Sequence, residues 1–240
     1  MLDKIAIATG IATLLSFAAC LPAEVEQGET SLATTERIGS LNYFMSAPSA
    51  ASRTAGAMVT MANQESMYCV GADESSYSCA VDVVDFTNAG LDPRRHDDAL
   101  RAFQDGQAIV EGWMERDPAT EYRTVRLHVL SIWENAVARR SRAAIYTVEQ
   151  TDDTCVRAPC ASYMQAARLH SDRWHKVLAL DLIASGADRR MLRRADQALA
   201  HGQLLVAGEF VDGRPAPGVL TSDSPVGTHL RAENFYVPMQ

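Results

Sequence analysis

Five cysteines set the tightest constraint on how this 240-residue chain can fold. An odd number in an exported protein leaves one cysteine needing its own explanation. With Cys20 set aside, Cys69, Cys79, Cys155 and Cys160 allow three pairings, and their spacing favours two local bridges, Cys69–Cys79 and Cys155–Cys160. Each would close a short loop and contribute about 2–3 kcal/mol in the chain-entropy account. Such bridges persist in an oxidising compartment. A zinc site would call for tighter C-x2-C pairs, and a redox dithiol for C-x-x-C. Cys155-x4-Cys160 is neither, so structural bridges are the expectation.

The N-terminus agrees with export. Ile5 to Ala19 is a mostly apolar run, too short to cross a hydrocarbon core of about 30 Å as a helix, and Lys4 precedes it. That is the layout of a cleavable signal peptide. Phe17-Ala18-Ala19-Cys20 resembles the lipobox of bacterial lipoprotein precursors, with Phe17 where that pattern usually has Leu. The resemblance covers the signal segment alone. It implies removal of residues 1–19, lipidation of Cys20 and attachment to a bacterial membrane on its periplasmic side. Leu21, in place of Asp, favours the outer membrane. An ordinary secretory signal, with Cys20 cut away or left free, is the alternative. No later stretch is long and apolar enough for a transmembrane helix.

Composition narrows the class further. Apolar and charged fractions of 47% and 22% suit a globular domain. Residues 21–93 carry ten acids against Arg37 and Arg53, whereas the remainder balances. No basic footprint exists at domain scale, which argues against a nucleic-acid partner.

Along the chain, residues 20–45 read as an acidic, flexible tether, and 46–240 as one mostly helical domain. Residues 46–66 suit a loosely packed helix. Tyr68 to Phe86 reads as a hairpin bridged by Cys69 and Cys79. Asp92-Pro93 is a helix start, with Asp as N-cap and Pro at the first position, and Ala99, Phe103, Val110, Trp113 and Met114 follow on one arc at helical spacing. Asp117-Pro118 repeats it, and Tyr122, Val125, Val129, Ile132, Trp133 and Ala136 follow at helical spacing; only Leu127 lies off that stripe. Tyr163, Ala167, Trp174, Val177 and Leu178 form a third stripe closed by Ser185-Gly186. Ala187 to His201 forms a fourth, stopping at Gly202. A short hairpin from Leu204 to Leu220, turning at Asp212-Gly213, completes a mainly α fold: a helical bundle with a bridged hairpin before it and a short β element after it.

A second reading competes. Ile145-Tyr146-Thr147-Val148 and Trp174 to Leu182 also alternate with period two, so that a Cys155–Cys160 bridge would clamp a hairpin between 142–154 and 161–171. A helix pair followed by such a meander resembles the cone-shaped α+β folds of nuclear-transport-factor type. The absence of Gly and Pro from 119–158 favours helix.

Candidate sites are sparse. His170 and His175 are five apart, too far round a helix for one metal, so no metal or other cofactor is expected. Ser171 and His175 could touch, but no oxyanion hole or G-x-S-x-G motif accompanies them. Gln64-Glu65-Ser66 resembles the glutamate-serine pair of lytic transglycosylases without that family's following Gly-Leu-Met-Gln. Glu111, Glu115 and Glu121 are spare carboxylates for a glycosidase-like acid pair. Arg189, Arg190, Arg193 and Arg194 form the densest basic patch, a candidate anion-binding face. Asp181, inside an apolar stripe, calls for an arginine partner. No catalytic residue emerges. The leading expectation is a membrane-tethered interaction or scaffold protein that contacts another envelope component. A cell-envelope hydrolase of glycan or ester bonds, or a carrier of a small apolar ligand, are the alternatives.

Overall fold

Period-two alternation governs most of the chain. The computed structural model describes residues 37–47, 56–117, 124–151, 164–213 and 227–239, which hold fourteen strands and two α-helices. The first half comprises β1 (Arg37–Ser46), β2 (Ala57–Met61), β3 (Met67–Tyr68), β4 (Ser75–Ser76), β5 (Cys79–Val81), β6 (Val83–Asp85), α1 (His96–Gln104), β7 (Ala108–Arg116) and β8 (Val125–Asn135). The second comprises β9 (Ile145–Gln150), β10 (Met164–Arg168), β11 (Trp174–Val177), β12 (Ala179–Asp181), α2 (Arg189–Ala200), β13 (Leu204–Gly213) and β14 (Gly227–Pro238).

The two halves share one topology. Strand order is β5-β2-β1-β7-β8 in the first and β11-β10-β9-β13-β14 in the second. In the first half β6 pairs in parallel with β8, and in the second β12 pairs in parallel with β14. Only Asp82 separates β5 from β6, so the chain passes directly from the β2 edge to the β8 edge. The Asp82 amide donates to the Val125 carbonyl at 2.9 Å. Leu178 does the same between β11 and β12, donating to Thr228 at 2.9 Å. Each half thereby curls into a small barrel filled by side chains. Phe44, Val59, Val110, Met114 and Leu127 pack against Ala99 and Phe103 of α1 in one. Val148, Ala166, Val206, Leu230 and Phe235 pack against Ala195 and Ala198 of α2 in the other.

The repeat is also written in the sequence. A shift of 96 residues, without gaps, lays Cys79–Asp117 over His175–Gly213 and matches Val81, Asp85, Gly90, Asp92, Arg94, Ala99, Ala102, Gly106, Gln107, Val110 and Gly112 with identical residues. The matches fall where the backbone is demanding. Asp92 and Asp188 cap the turns that open the two helical segments. Gly112 and Gly208 sit beside equivalent bulges, and a Cβ there would come within 1.9 Å of the His128 carbonyl oxygen or 2.1 Å of that of Arg231.

The halves join about a local two-fold axis. β8 meets β14 antiparallel, with Glu134 opposite Val237 at the centre and Asn135–Tyr236 and Trp133–Pro238 on either side. The Ala136 amide donates to Phe235 (2.8 Å) and the Met239 amide to Ile132 (2.9 Å), bonds that exchange under that axis. Ile109, Trp133, Leu205 and Tyr236 bury together at the junction. Asn63 and His170, equivalent residues after β2 and β10, are the described non-glycine residues with positive φ, at 59° and 66°. Both reach across the junction. The Asn63 side chain exchanges bonds of 2.6 and 2.8 Å with the Ile145 backbone, and the His170 ring lies 5.9 Å from Tyr43.

These findings overturn the helical bundle. The described part of the stripe that starts at Tyr122 is strand β8, Val125–Asn135: Leu127, Val129 and Ile132 point inward, and the bulge at Leu130 stretches a two-residue step to three, imitating a helix. The described part of the third stripe falls on β10, β11 and β12, three short strands, with a turn after β10 and the single residue Leu178 between β11 and β12. Within the expected helix 46–66, the described residues 57–61 form strand β2. The hairpin expected to end at Leu220 instead pairs β13 with β14, the twelve-residue strand Gly227–Pro238. β1 begins at Arg37, inside the expected tether. The predicted features that stand are the Asp92-Pro93 start, α2 ending before Gly202, the left-handed Gly186 (φ 79°) and the Cys69–Cys79 bridge, with Cα atoms 5.4 Å apart. The helix opened at Asp92-Pro93 ends at Gln104, and Val110, Trp113 and Met114 belong to β7. The expected Tyr68–Phe86 hairpin is replaced by the short β3–β4 pair, while Cys79 lies on β5 against β2. Gly186 closes a 3-10 turn, Ile183–Ser185, in place of a long helix. Strands β9 and β10 form the hairpin of the period-two reading. They sit in a sheet-dominated double barrel, however, and the helix pair of the cone-like alternative is absent from 124–136. Cys20, Glu121, Cys155 and Cys160 lie outside the described residues.

Candidate functional site

Titratable side chains collect on the outer wall of the first barrel. Strand alternation turns Val110 and Met114 inward, which sends Glu111, Trp113 and Glu115 outward along β7. Pairing sets Trp113 opposite His128 and Glu115 opposite Arg126 on β8, and the parallel strand β6 brings Asp85 beside His128. The His128 ring stacks on the Trp113 indole with centroids 4.9 Å apart and planes at 16°. Its Nδ1 lies 3.6 Å from Asp85 Oδ2 and its Nε2 3.4 Å from Glu115 Oε2. Arg126 Nη1 stands 3.5 Å from the same Asp85 oxygen. The other oxygen of Asp85 accepts from the Thr87 hydroxyl (2.6 Å) and amide (3.0 Å). The Thr87 hydroxyl holds the Asp85 carboxyl below the usual carboxylate range, aided by the Thr87 amide, His128 and Arg126 and opposed by partial burial.

Nearer the axis, Tyr43 on β1 faces Glu111. Burial, then the Glu111 carboxylate that accepts its hydroxyl proton, pushes the Tyr43 pKa up to about 12. Burial alone raises Tyr236 to about 12 against a small opposing effect of Arg140. Partial burial lowers the His170 pKa, countered by its bond to the Ala62 carbonyl. Perturbed groups of this kind concentrate at working sites and at structural junctions alike.

The geometry limits the chemistry. Each nitrogen of His128 faces one of the protein's own carboxylates, so neither is directed at an outside proton. Asp85 and Glu115 are the acid pair that a hydrolase would need, yet the imidazole fills the space between them where water and substrate would sit. The second barrel keeps the scaffold and loses the row: Glu111, Trp113, Glu115, Arg126 and His128 correspond to Ala207, Glu209, Val211, His229 and Arg231, and Asp85 alone persists as Asp181.

The residues singled out from sequence are scattered. His170 sits in the turn after β10 and His175 on β11, so the two never shared a helix. Gln64-Glu65-Ser66 lies in the link between β2 and β3. Asp181 is buried, but it accepts from the Ala184 amide at 3.1 Å, capping a turn where an arginine partner was expected. Arg189, Arg190 and Arg193 are exposed on α2. Arg194 is spent on the junction, reaching Glu134 at 2.5 Å and the Pro238 carbonyl at 2.7 Å. Asp85, Glu115 and His128 were not assembled from sequence because 43 residues and two strand pairings separate them; the 96-residue self-match would have revealed the shared frame. Among the described residues no helix is long and apolar enough to cross a membrane, and no group of three His, Cys, Asp or Glu is placed to hold a metal.

Comparison with known proteins finds no match among curated proteins and none among solved structures. Residues 49–240, which take in everything described from β2 to β14, match the family described as a domain of unknown function, DUF6748, and the chain belongs to it.

Proposed function

We propose that this protein is an interaction protein of the cell envelope, exported and tethered to a membrane by lipid on Cys20. The observation that carries the non-catalytic part is His128 set between Asp85 and Glu115, its ring nitrogens 3.6 and 3.4 Å from their carboxylate oxygens, within ion-pair range. A general base must reach a substrate proton, and here that reach is taken up by the protein itself. The Cys69–Cys79 bridge supports an oxidising compartment. The row on the first barrel, with Trp113 and Arg126 partly exposed beside three carboxylates, is a polar and aromatic face of the kind that partners contact.

Intact-mass analysis of protein extracted from membranes tests the tether. The expected species begins at Cys20, carries acyl chains there and shows the proton deficit of two bridges. A mature N-terminus beyond Cys20, or an unprocessed reduced chain in the soluble cell interior, would overturn it. A photo-crosslinking side chain at position 126 tests the contact face in intact cells and should trap a discrete protein adduct. A lane holding the monomer alone refutes that face.

A further inference from the structure

Beside the junction, on the helix side, lies a cleft of about 390 Å3 lined by Arg95, Glu134, Asp188, Arg190, Met191 and Arg194. Arg95 comes from the turn before α1 in the first barrel, and the other arginines from α2 in the second. Three guanidiniums therefore converge on one concavity from both halves of the duplicated fold. Its carboxylates are already committed. Glu134 holds Arg194, and Asp188 accepts from the Met191 amide at 2.8 Å to cap α2. Arg95 and Arg190 have no carboxylate partner among the described residues. Arg189 and Arg193 are exposed on the same helix.

We propose that this cleft binds a phosphate group, gripped by Arg95 and Arg190, with the Arg194–Glu134 pair as its floor. Two unpaired planar guanidiniums suit a tetrahedral oxyanion, because each can offer two parallel N–H donors. A cavity of this size admits a phosphate with part of the molecule bearing it. Free phosphate and the headgroup of an anionic lipid present the same chemistry. Only residues of the folded part are used, so the proposal does not depend on acylation of Cys20.

The test uses the chain carrying Cys20→Ser, which takes no acyl group. It is titrated with inorganic phosphate at low ionic strength, where screening is weak, and pelleted with vesicles of phosphatidylglycerol or of phosphatidylcholine. Saturable phosphate binding is expected. Arg95→Gln and Arg190→Gln should each weaken it about tenfold or more, as loss of a charge-assisted hydrogen bond does. Arg101→Gln, whose guanidinium already pairs with Asp98, should leave it unchanged. If a Gln variant unfolds, Arg95→Lys or Arg190→Lys keeps the charge, removes the fork and should weaken binding to a smaller degree. Phosphate binding without pelleting assigns the site to a free anion, and pelleting with phosphatidylglycerol that the same substitutions abolish assigns it to a headgroup. Absence of both, or binding indifferent to both arginines, overturns the proposal.

Discussion

The two barrels follow one backbone plan and differ in what is hung on it. Between β2 and β5 the first barrel carries residues 62–78 of connecting chain, which hold the β3–β4 hairpin and are stapled by Cys69–Cys79. The second passes from β10 to β11 through a tight turn at 169–173, and His175 stands where the first has Cys79. The outer wall differs as sharply, since the row of Asp85, Glu111, Glu115, Trp113 and His128 answers to Asp181, Ala207, Val211, Glu209 and Arg231 in its twin. Identical residues cluster at caps, turns and bulges, where backbone conformation allows few substitutes. A duplicated fold therefore holds fixed what the chain path requires and leaves its exterior free, which places the chemical difference between the barrels on their outer walls.

The sharpest way to break this comparison is to remove the same atoms from both cores. Leu127 and Leu230 occupy equivalent inward positions, and both are fully buried. Leu127→Ala and Leu230→Ala should each cost about 3 kcal/mol in urea unfolding, within the range for buried leucine truncation. The double variant should be additive, since the two sites lie in separate cores. A loss under about 1 kcal/mol at only one site would show that one barrel collapses around the gap, and that the two interiors are not equivalent.

A smaller and one-sided effect belongs to the bridge. Replacing Cys69 and Cys79 together with alanine should cost about 2–3 kcal/mol. The loss should be local, with hydrogen exchange accelerating in β2 and β5 while β10 and β11, which pack without any such bridge, stay protected. Equal acceleration in both barrels would mean that the cystine supports the junction and not merely its own strands.

How much of this could be read beforehand follows from the range of each signal. Asp92-Pro93, Asp188, Gly186 and Gly202 are local devices, and sequence inspection located the turns and the α2 boundaries they set. Strand β8 was misjudged because one bulged residue, Leu130, converts period two into something close to 3.6; Leu127, the lone residue off the helical stripe, was the sign of a strand. Strands β10 to β12 were misjudged because elements of three to five residues are too short to display a period. The His128 row depends on pairings between β6, β7 and β8, which no local pattern encodes. The repeat itself was legible, because eleven identities lie in register at a shift of 96, but comparing the chain with itself is the only way to see it.

The subtlest difference between the barrels concerns Asp85 and Asp181, the one acid retained by both. Each caps a turn through a side-chain oxygen, bonding Thr87 in the first barrel and the Ala184 amide in the second. Asn could still accept those bonds. Only Asp85 also faces His128 and Arg126, so Asp85→Asn should cost about 0.5–1 kcal/mol near neutral pH, as a partly exposed ion pair does, and Asp181→Asn less. The pH dependence follows from the depressed carboxyl of Asp85. Its folded pKa lies below the unfolded value of about 4, so below that value the unfolded chain binds more protons than the native one. The stabilisation is fully present above about 4 and is lost as the pH falls through the lower folded value. Denaturant midpoints measured from pH 6 down to pH 2, in roughly unit steps chosen to span that window, should therefore drop less steeply for Asp85→Asn than for the parent chain.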